Sequence, residues 1–127
     1  MAGAAALQFP DILGVQSYFD DDADATVAKN VGGGPVRLYG VYVSNTAYAV
    51  KVYLKIWNHV NPVVGTTPPN IQIPVPVSGV HSAIWKGGLP LSVGLSYAVT
   101  TDAGTAGVAN PATPPDVYFA FKPGAAA

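Results

Sequence analysis

The chain contains no cysteine and no glutamate. Without cysteine there is no disulfide frame, no thiolate nucleophile and no thiolate metal site. Charge of either sign is scarce, at 10% of 127 residues, against about 25% in an average soluble protein. The six basic residues are scattered from Lys29 to Lys122 and the formal net charge is -1. No basic patch exists to hold a phosphate backbone, which argues against a nucleic-acid partner. No apolar run approaches the roughly 18 residues of a membrane span, so no membrane partner is expected. Met1 to Leu7 lacks the basic start and long apolar core of a signal peptide. No segment carries a stripe of 3.6-residue period, so no substantial helix is expected.

Half of the residues are hydrophobic, and glycine (14) and proline (12) are plentiful. The length suits one domain with one core. With so few charges, its surface must be covered by Thr, Ser, Asn, Gly and Pro, or partly by other protein, which points to assembly.

The most informative stretch runs from Val36 to Trp57. It holds two runs rich in β-branched and aromatic residues, with Ser44-Asn45-Thr46-Ala47 between them. This predicts two adjoining strands forming a core hairpin. In the first run Val36, Leu38, Gly40 and Tyr42 share one side, and Arg37, Tyr39, Val41 and Val43 the other. Both sides are largely apolar, as for a strand covered on one face by a second sheet and on the other by a neighbouring subunit. In the second run Val50, Val52, Leu54 and Ile56 face in, and Lys51, Tyr53, Lys55 and Trp57 face out. A two-residue loop at Thr46-Ala47 pairs Val43 with Val50. A loop one residue longer or shorter swaps the faces of the first run, and either gives a coherent core.

Further strands are expected over 25–31, 71–77, 80–86, 95–100 and 117–122, with a short first strand or arm around Ile12, Val15 and Tyr18. In 71–77 the outer parity carries Pro74 and Pro76, which places that strand at a sheet edge. Gly32-Gly33-Gly34-Pro35 and Gly87-Gly88-Leu89-Pro90 are expected to break the chain. Residues 58–70 and 102–116 are expected as loops. The sum is an all-β protein of seven or eight strands, an antiparallel β-sandwich or jelly roll. Residues 1–24 form an amino-terminal arm, 25–122 the sandwich, and 123–127 a loose tail.

Chemistry is hard to find. His59 and His81 are the only imidazoles and no ligand spacing links them. No nucleophile–base pair and no pair of catalytic carboxylates stands out, so neither catalytic nor cofactor-binding residues are expected. Asp20, Asp21, Asp22 and Asp24 form the only charge cluster. Their oxygens suit calcium, but the spacing is not that of an EF-hand, and a solvated acidic loop is the plainer reading. Tyr39, Tyr42, Tyr53, Trp57, Trp85 and Tyr97 could form a sugar-stacking platform, or lie in the core and at a subunit interface. Of these Tyr39, Tyr42, Tyr53, Trp57 and Trp85 are the interface candidates.

The succession Val63-Val64-Gly65-Thr66-Thr67-Pro68-Pro69, Ile73-Pro74-Val75-Pro76, Gly88-Leu89-Pro90-Leu91 and Gly94-Leu95-Ser96-Tyr97-Ala98-Val99-Thr100-Thr101 resembles small β-rich structural proteins of tailed bacteriophages. Leu38-Tyr39-Gly40-Val41-Tyr42-Val43-Ser44-Asn45 and Val52-Tyr53-Leu54-Lys55 fit the same pattern. The resemblance covers roughly residues 35–122, and its motifs describe strands and turns rather than a site. It implies a capsid decoration (cement) protein of jelly-roll type on the exterior of the virion, a homotrimer contacting the major capsid protein. The alternative expectation is a receptor- or glycan-binding tip of a phage fibre or spike, using loops 58–70 and 102–116.

Overall fold

The structure, a computed structural model, describes residues 5–8 and 15–124. Ile12 and residues 125–127 of the expected tail at 123–127 lie outside the described residues, and Pro123 of that tail belongs to the last strand. Nine strands form among the described residues: β1 (Ala5–Gln8), β2 (Gln16–Asp20), β3 (Ala28–Val31), β4 (Val36–Ser44), β5 (Val52–Asn58), β6 (Ile71–Val75), β7 (Val80–Leu91), β8 (Leu95–Thr100) and β9 (Asp116–Pro123). There is no helix among the described residues. The protein is an all-β sandwich of two antiparallel sheets, one of order β1-β2-β9-β4-β7 and one of order β3-β8-β5-β6. The stretches 5–8 and 16–20, expected within an arm, pair with one another and through β2 with β9.

The pairing follows a simple rule. β5 pairs with β6, β4 with β7, β3 with β8 and β2 with β9, all antiparallel. The chain is thus one long hairpin whose turn lies between β5 and β6, rolled so that successive pairs fall in alternate sheets. This strand order is compatible with a jelly roll. β6 lies at the edge of its sheet, where Pro74, which has no N–H to donate, leaves no ladder bond unmade.

The expected hairpin between 36–43 and 50–57 does not form. β4 lies between β9 and β7 in the five-stranded sheet, while β5 lies in the other. Val43 pairs with Val117 and His81 rather than Val50, and Val50 precedes β5 and is exposed. Asn45 explains the crossing. Its backbone N–H donates to Gly79 O at 2.8 Å, and its Nδ2 to Val50 O at 2.9 Å and Pro76 O at 3.1 Å. These bonds hold the chain as it leaves one sheet for the other, where a hairpin turn would have needed left-handed residues such as Asn-Gly.

The two-sided apolar character of the first run is also resolved. The ladder of β4 shifts register between Leu38 and Gly40 against both neighbours. Against β9 Tyr39 is the extra residue, whereas against β7 the surplus is on β7, where residues 85–88 lie opposite it; parity inverts at Tyr39, and Val36, Leu38, Val41 and Val43 are all buried in the core. The facing strand compensates. β7 runs on through Gly87 (φ 80°) and Gly88 (φ 86°), the residues expected to end it. Arg37 Nη1 donates to the carbonyls of both, at 3.2 and 3.3 Å. A Cβ on Gly88 would lie 2.2 Å from Arg37 Cγ, so only glycine fits beneath that side chain.

The core lies between the inner faces. Val36, Leu38, Val41 and Val43 of β4 and Val117, Phe119 and Phe121 of β9 meet Val52, Leu54 and Ile56 of β5 and Leu95, Tyr97 and Val99 of β8. Each such side chain contributes about 1.5–3 kcal/mol by leaving water.

Candidate functional site

The outer faces of the two sheets are finished differently. On the four-stranded sheet, the outward side chains of β5 are covered by the chain itself. Trp57 is 1% exposed, and its Nε1 donates to Thr67 O at 2.8 Å in the 59–70 loop. Lys55 is fully buried, its Nζ donating to Gly104 O at 2.7 Å and Gly107 O at 2.8 Å. Burial lowers the pKa of that ammonium, and the negative charge of Asp102 opposes the shift. The expectation that Lys55 and Trp57 face out is thus corrected: their parity is outward, but they anchor the 101–110 and 59–70 loops.

Among the described residues, the five-stranded sheet has no such cover over its middle. Cross-strand register sets Phe19, Tyr118, Tyr42 and Ser82 in one row across β2, β9, β4 and β7. The next row is Ser17, Ala120, Gly40 and Ile84. In the first, the rings of Phe19 and Tyr118 stack at 4.4 Å between centroids, and Tyr42 and Tyr118 lie 5.7 Å apart. In the second, small side chains leave a hollow of about 240 Å³ flanked by Ile84. Ile84 is 84% exposed, Tyr42 41% and Tyr118 38%. No charged side chain lines the hollow. The aromatic pairs stabilise the ridge by about 0.5–1.5 kcal/mol each. A contiguous exposed apolar surface rimmed by polar residues is the form of a protein-docking face.

Of the five interface candidates, Tyr42 lies on this face. Tyr39 is half-buried at the bulge of β4, and Trp85 is half-buried against the core. Tyr53 is half-buried on the other sheet, with Lys51 Nζ 5.4 Å from its ring centroid. Trp57 is enclosed. Tyr97, considered with these as a sugar platform, is 1% exposed, and burial followed by its bond to Asp20 drives its phenol pKa far upward. Two of the six rings therefore have no open face for a sugar to stack on.

The acidic cluster divides. Asp20 points inward, accepting Tyr97 Oη–H on one oxygen and the Asp22 N–H at 2.9 Å on the other. Asp24 accepts the Thr26 N–H at 2.8 Å, shaping its own turn. Asp21 and Asp22 are exposed. Among the described residues no three His, Cys, Asp or Glu side chains are grouped so as to hold a metal ion. His59 Nδ1 accepts the Asn61 N–H at 2.8 Å in a surface turn, and His81 sits on β7 opposite Val43. Phe19, Tyr118 and Ile84 were not singled out from sequence. The available signal was Tyr118 and Ala120, apolar residues on the outward parity of the last strand.

Comparison with known proteins finds no matching family model, no matching curated protein and no matching solved structure. The reading of function therefore stands on the face just described and on the residues of the chain itself.

Proposed function

We propose that this protein is a non-enzymatic structural protein of a bacteriophage particle. It decorates the exterior of the capsid as a homotrimer and cements the shell through contacts with the major capsid protein. The observation that carries the reading is the difference between the two outer faces. The chain spends two loops closing one sheet and leaves the other with a stacked aromatic ridge, an uncharged hollow and a projecting Ile84. Scarce charge over the whole sequence supports a molecule whose working state is assembled. A strand order compatible with a jelly roll, a fold common in viral coats, supports it at the level of architecture alone.

The test is co-sedimentation with shells of the cognate capsid protein lacking the decoration protein. Saturable binding is expected for the native chain, with a loss of at least about tenfold for Ile84→Asp, which places a charge in a desolvated contact. Absence of saturable binding by the native chain overturns the proposal.

A further inference from the structure

Two open sheets leave four edge strands, β1, β7, β3 and β6, and these are not alike. β6 carries Pro74, which has no N–H to offer. β3 is four residues long, includes Lys29 and pairs with β8 in an irregular register. β1 is also four residues long. β7, at twelve residues, is the longest strand among the described residues. Its second half is guarded by Lys86, by Gly87 and Gly88 beneath Arg37, and by Pro90. Its first half, Val80-His81-Ser82-Ala83-Ile84-Trp85, carries no proline, lysine, arginine or carboxylate. An edge of that kind is a template for another strand.

The phase of the ladder shows which backbone groups this edge presents. Ser44 lies opposite Val80, so Asn45 lies opposite Gly79, and the Asn45 N–H donates to Gly79 O at 2.8 Å. Bonded and non-bonded pairs alternate in an antiparallel ladder. Val43–His81 and Val41–Ala83 are therefore bonded pairs, and the backbone groups of His81 and Ala83 point at β4. In agreement, a Cβ on Gly40 of β4 would lie 3.4 Å from Ala83 O. The N–H and C=O groups of Val80, Ser82 and Ile84 point the other way, and among the described residues no strand lies on that side. The same residues have exposed side chains, Val80 at 46% and Ile84 at 84%.

We propose that this edge pairs with the same edge of a second copy of the chain, antiparallel about a two-fold axis at Ser82. Only the register that sets Ser82 opposite Ser82 engages every outward residue, with Val80 of each copy opposite Ile84 of the other. Each such pair exchanges two bonds, so all the outward N–H and C=O groups of Val80, Ser82 and Ile84 find partners. The exposed Val80 and Ile84 side chains then lie against one another across the seam. Charge permits the contact, because Lys86 falls opposite Ser78 and no like charges meet. The pairing is isologous, and a two-fold contact does not close a three-fold ring. In the proposed assembly it joins a copy in one trimer to a copy in the next. It rests on the edge alone and does not depend on what the aromatic face meets.

Amide hydrogen exchange of the protein alone, with no capsid present, tests the pairing residue by residue. Between about 20 µM and about 1 mM chain, exchange at Val80, Ser82 and Ile84 is expected to slow by about fivefold or more, while His81 and Ala83, already bonded to β4, change little. Ser82→Glu and Ser82→Lys each set like charges face to face at the axis and should abolish the slowing. Mixing the two variants sets opposite charges there and should restore it. Ser82 is exposed, so the unfolding midpoints of both variants should stay close to that of the native chain. The proposal is overturned if exchange at Val80, Ser82 and Ile84 is independent of concentration, if either variant alone keeps the native response, or if the mixture does not regain it. Slowing that appears only when capsid shells are added assigns the edge to a different partner and likewise overturns it.

Discussion

Lys55 shows how one residue can organise a loop. Its ammonium is taken wholly from water, which is unfavourable, and is answered by the carbonyls of Gly104 and Gly107. Lys55→Met removes the buried charge but leaves the Gly107 carbonyl buried and unpaired. We expect a loss of about 1–3 kcal/mol in urea unfolding, with faster amide exchange across 101–109. The pKa shift has a definite sign. The folded state releases the Lys55 proton at lower pH than the unfolded chain does. Stability due to this group therefore rises as pH climbs from its lowered value toward 10.5. Lys55→Met should remove that rise from the alkaline limb of a urea-midpoint profile. Asp116 behaves oppositely to an ion-paired carboxylate. Its folded pKa is raised above 3.8, so the folded state holds the proton more tightly than the unfolded state. Stability from this group falls as pH rises from 3.8 through the raised value. Asp116→Asn should flatten that segment of the profile; an unchanged slope would refute the assignment.

At the level of elements, most strands were legible in the sequence and their partners were not. β6 and β9 follow the alternation of Ile71 and Ile73 and of Val117, Phe119 and Phe121, because a period of two reports burial of one face directly, while β8 was found from Leu95, Tyr97 and Val99 although all six of its residues are buried. The prolines of 71–77 correctly marked a sheet edge, since a missing N–H is a local property. Pairing between β4 and β5 was misread because adjacency in sequence was taken for adjacency in a sheet. What sends them to different sheets is the set of bonds from Asn45 to Gly79, Val50 and Pro76, two of them to residues more than 30 positions away in sequence. The bulge at Tyr39 was likewise hidden, because it depends on what β7 and β9 present opposite it. Of the aromatic face, Tyr42 was named from sequence as an interface candidate. Phe19 and Ile84 were not, since their rows exist only once the register is known. The junction of β4 and β7 gives a sharp test. Gly88→Ala adds a Cβ to a residue at φ 86° and against Arg37, and should destabilise the protein by about 2 kcal/mol. Gly87→Ala, with nothing within 4 Å of its added Cβ but φ 80°, should cost about 1 kcal/mol. Equal losses for the two variants would mean that the contact with Arg37 contributes nothing.

Over the described residues the molecule is a sandwich with one self-covered face and one bare one. On the covered side the 59–70 and 101–110 loops use Trp57 and Lys55 as internal anchors, so substitutions there act on stability. Trp57→Ala should destabilise the fold by about 3–5 kcal/mol in urea unfolding. On the bare side, substitutions are expected to act on the proposed association. Ile84→Asp removes exposed apolar surface and should leave the unfolding midpoint close to that of the native chain while weakening assembly. The central claim is that the Phe19–Tyr118–Tyr42 row and the hollow beside it face another protein in a phage capsid. The most direct measurement is an electron-microscopic reconstruction of the intact particle in which this chain is located. The account predicts the chain on the outside of the shell, with Tyr42, Tyr118 and Ile84 in contact with protein. A chain at a fibre tip, or on the shell with that face open to solvent, would contradict it.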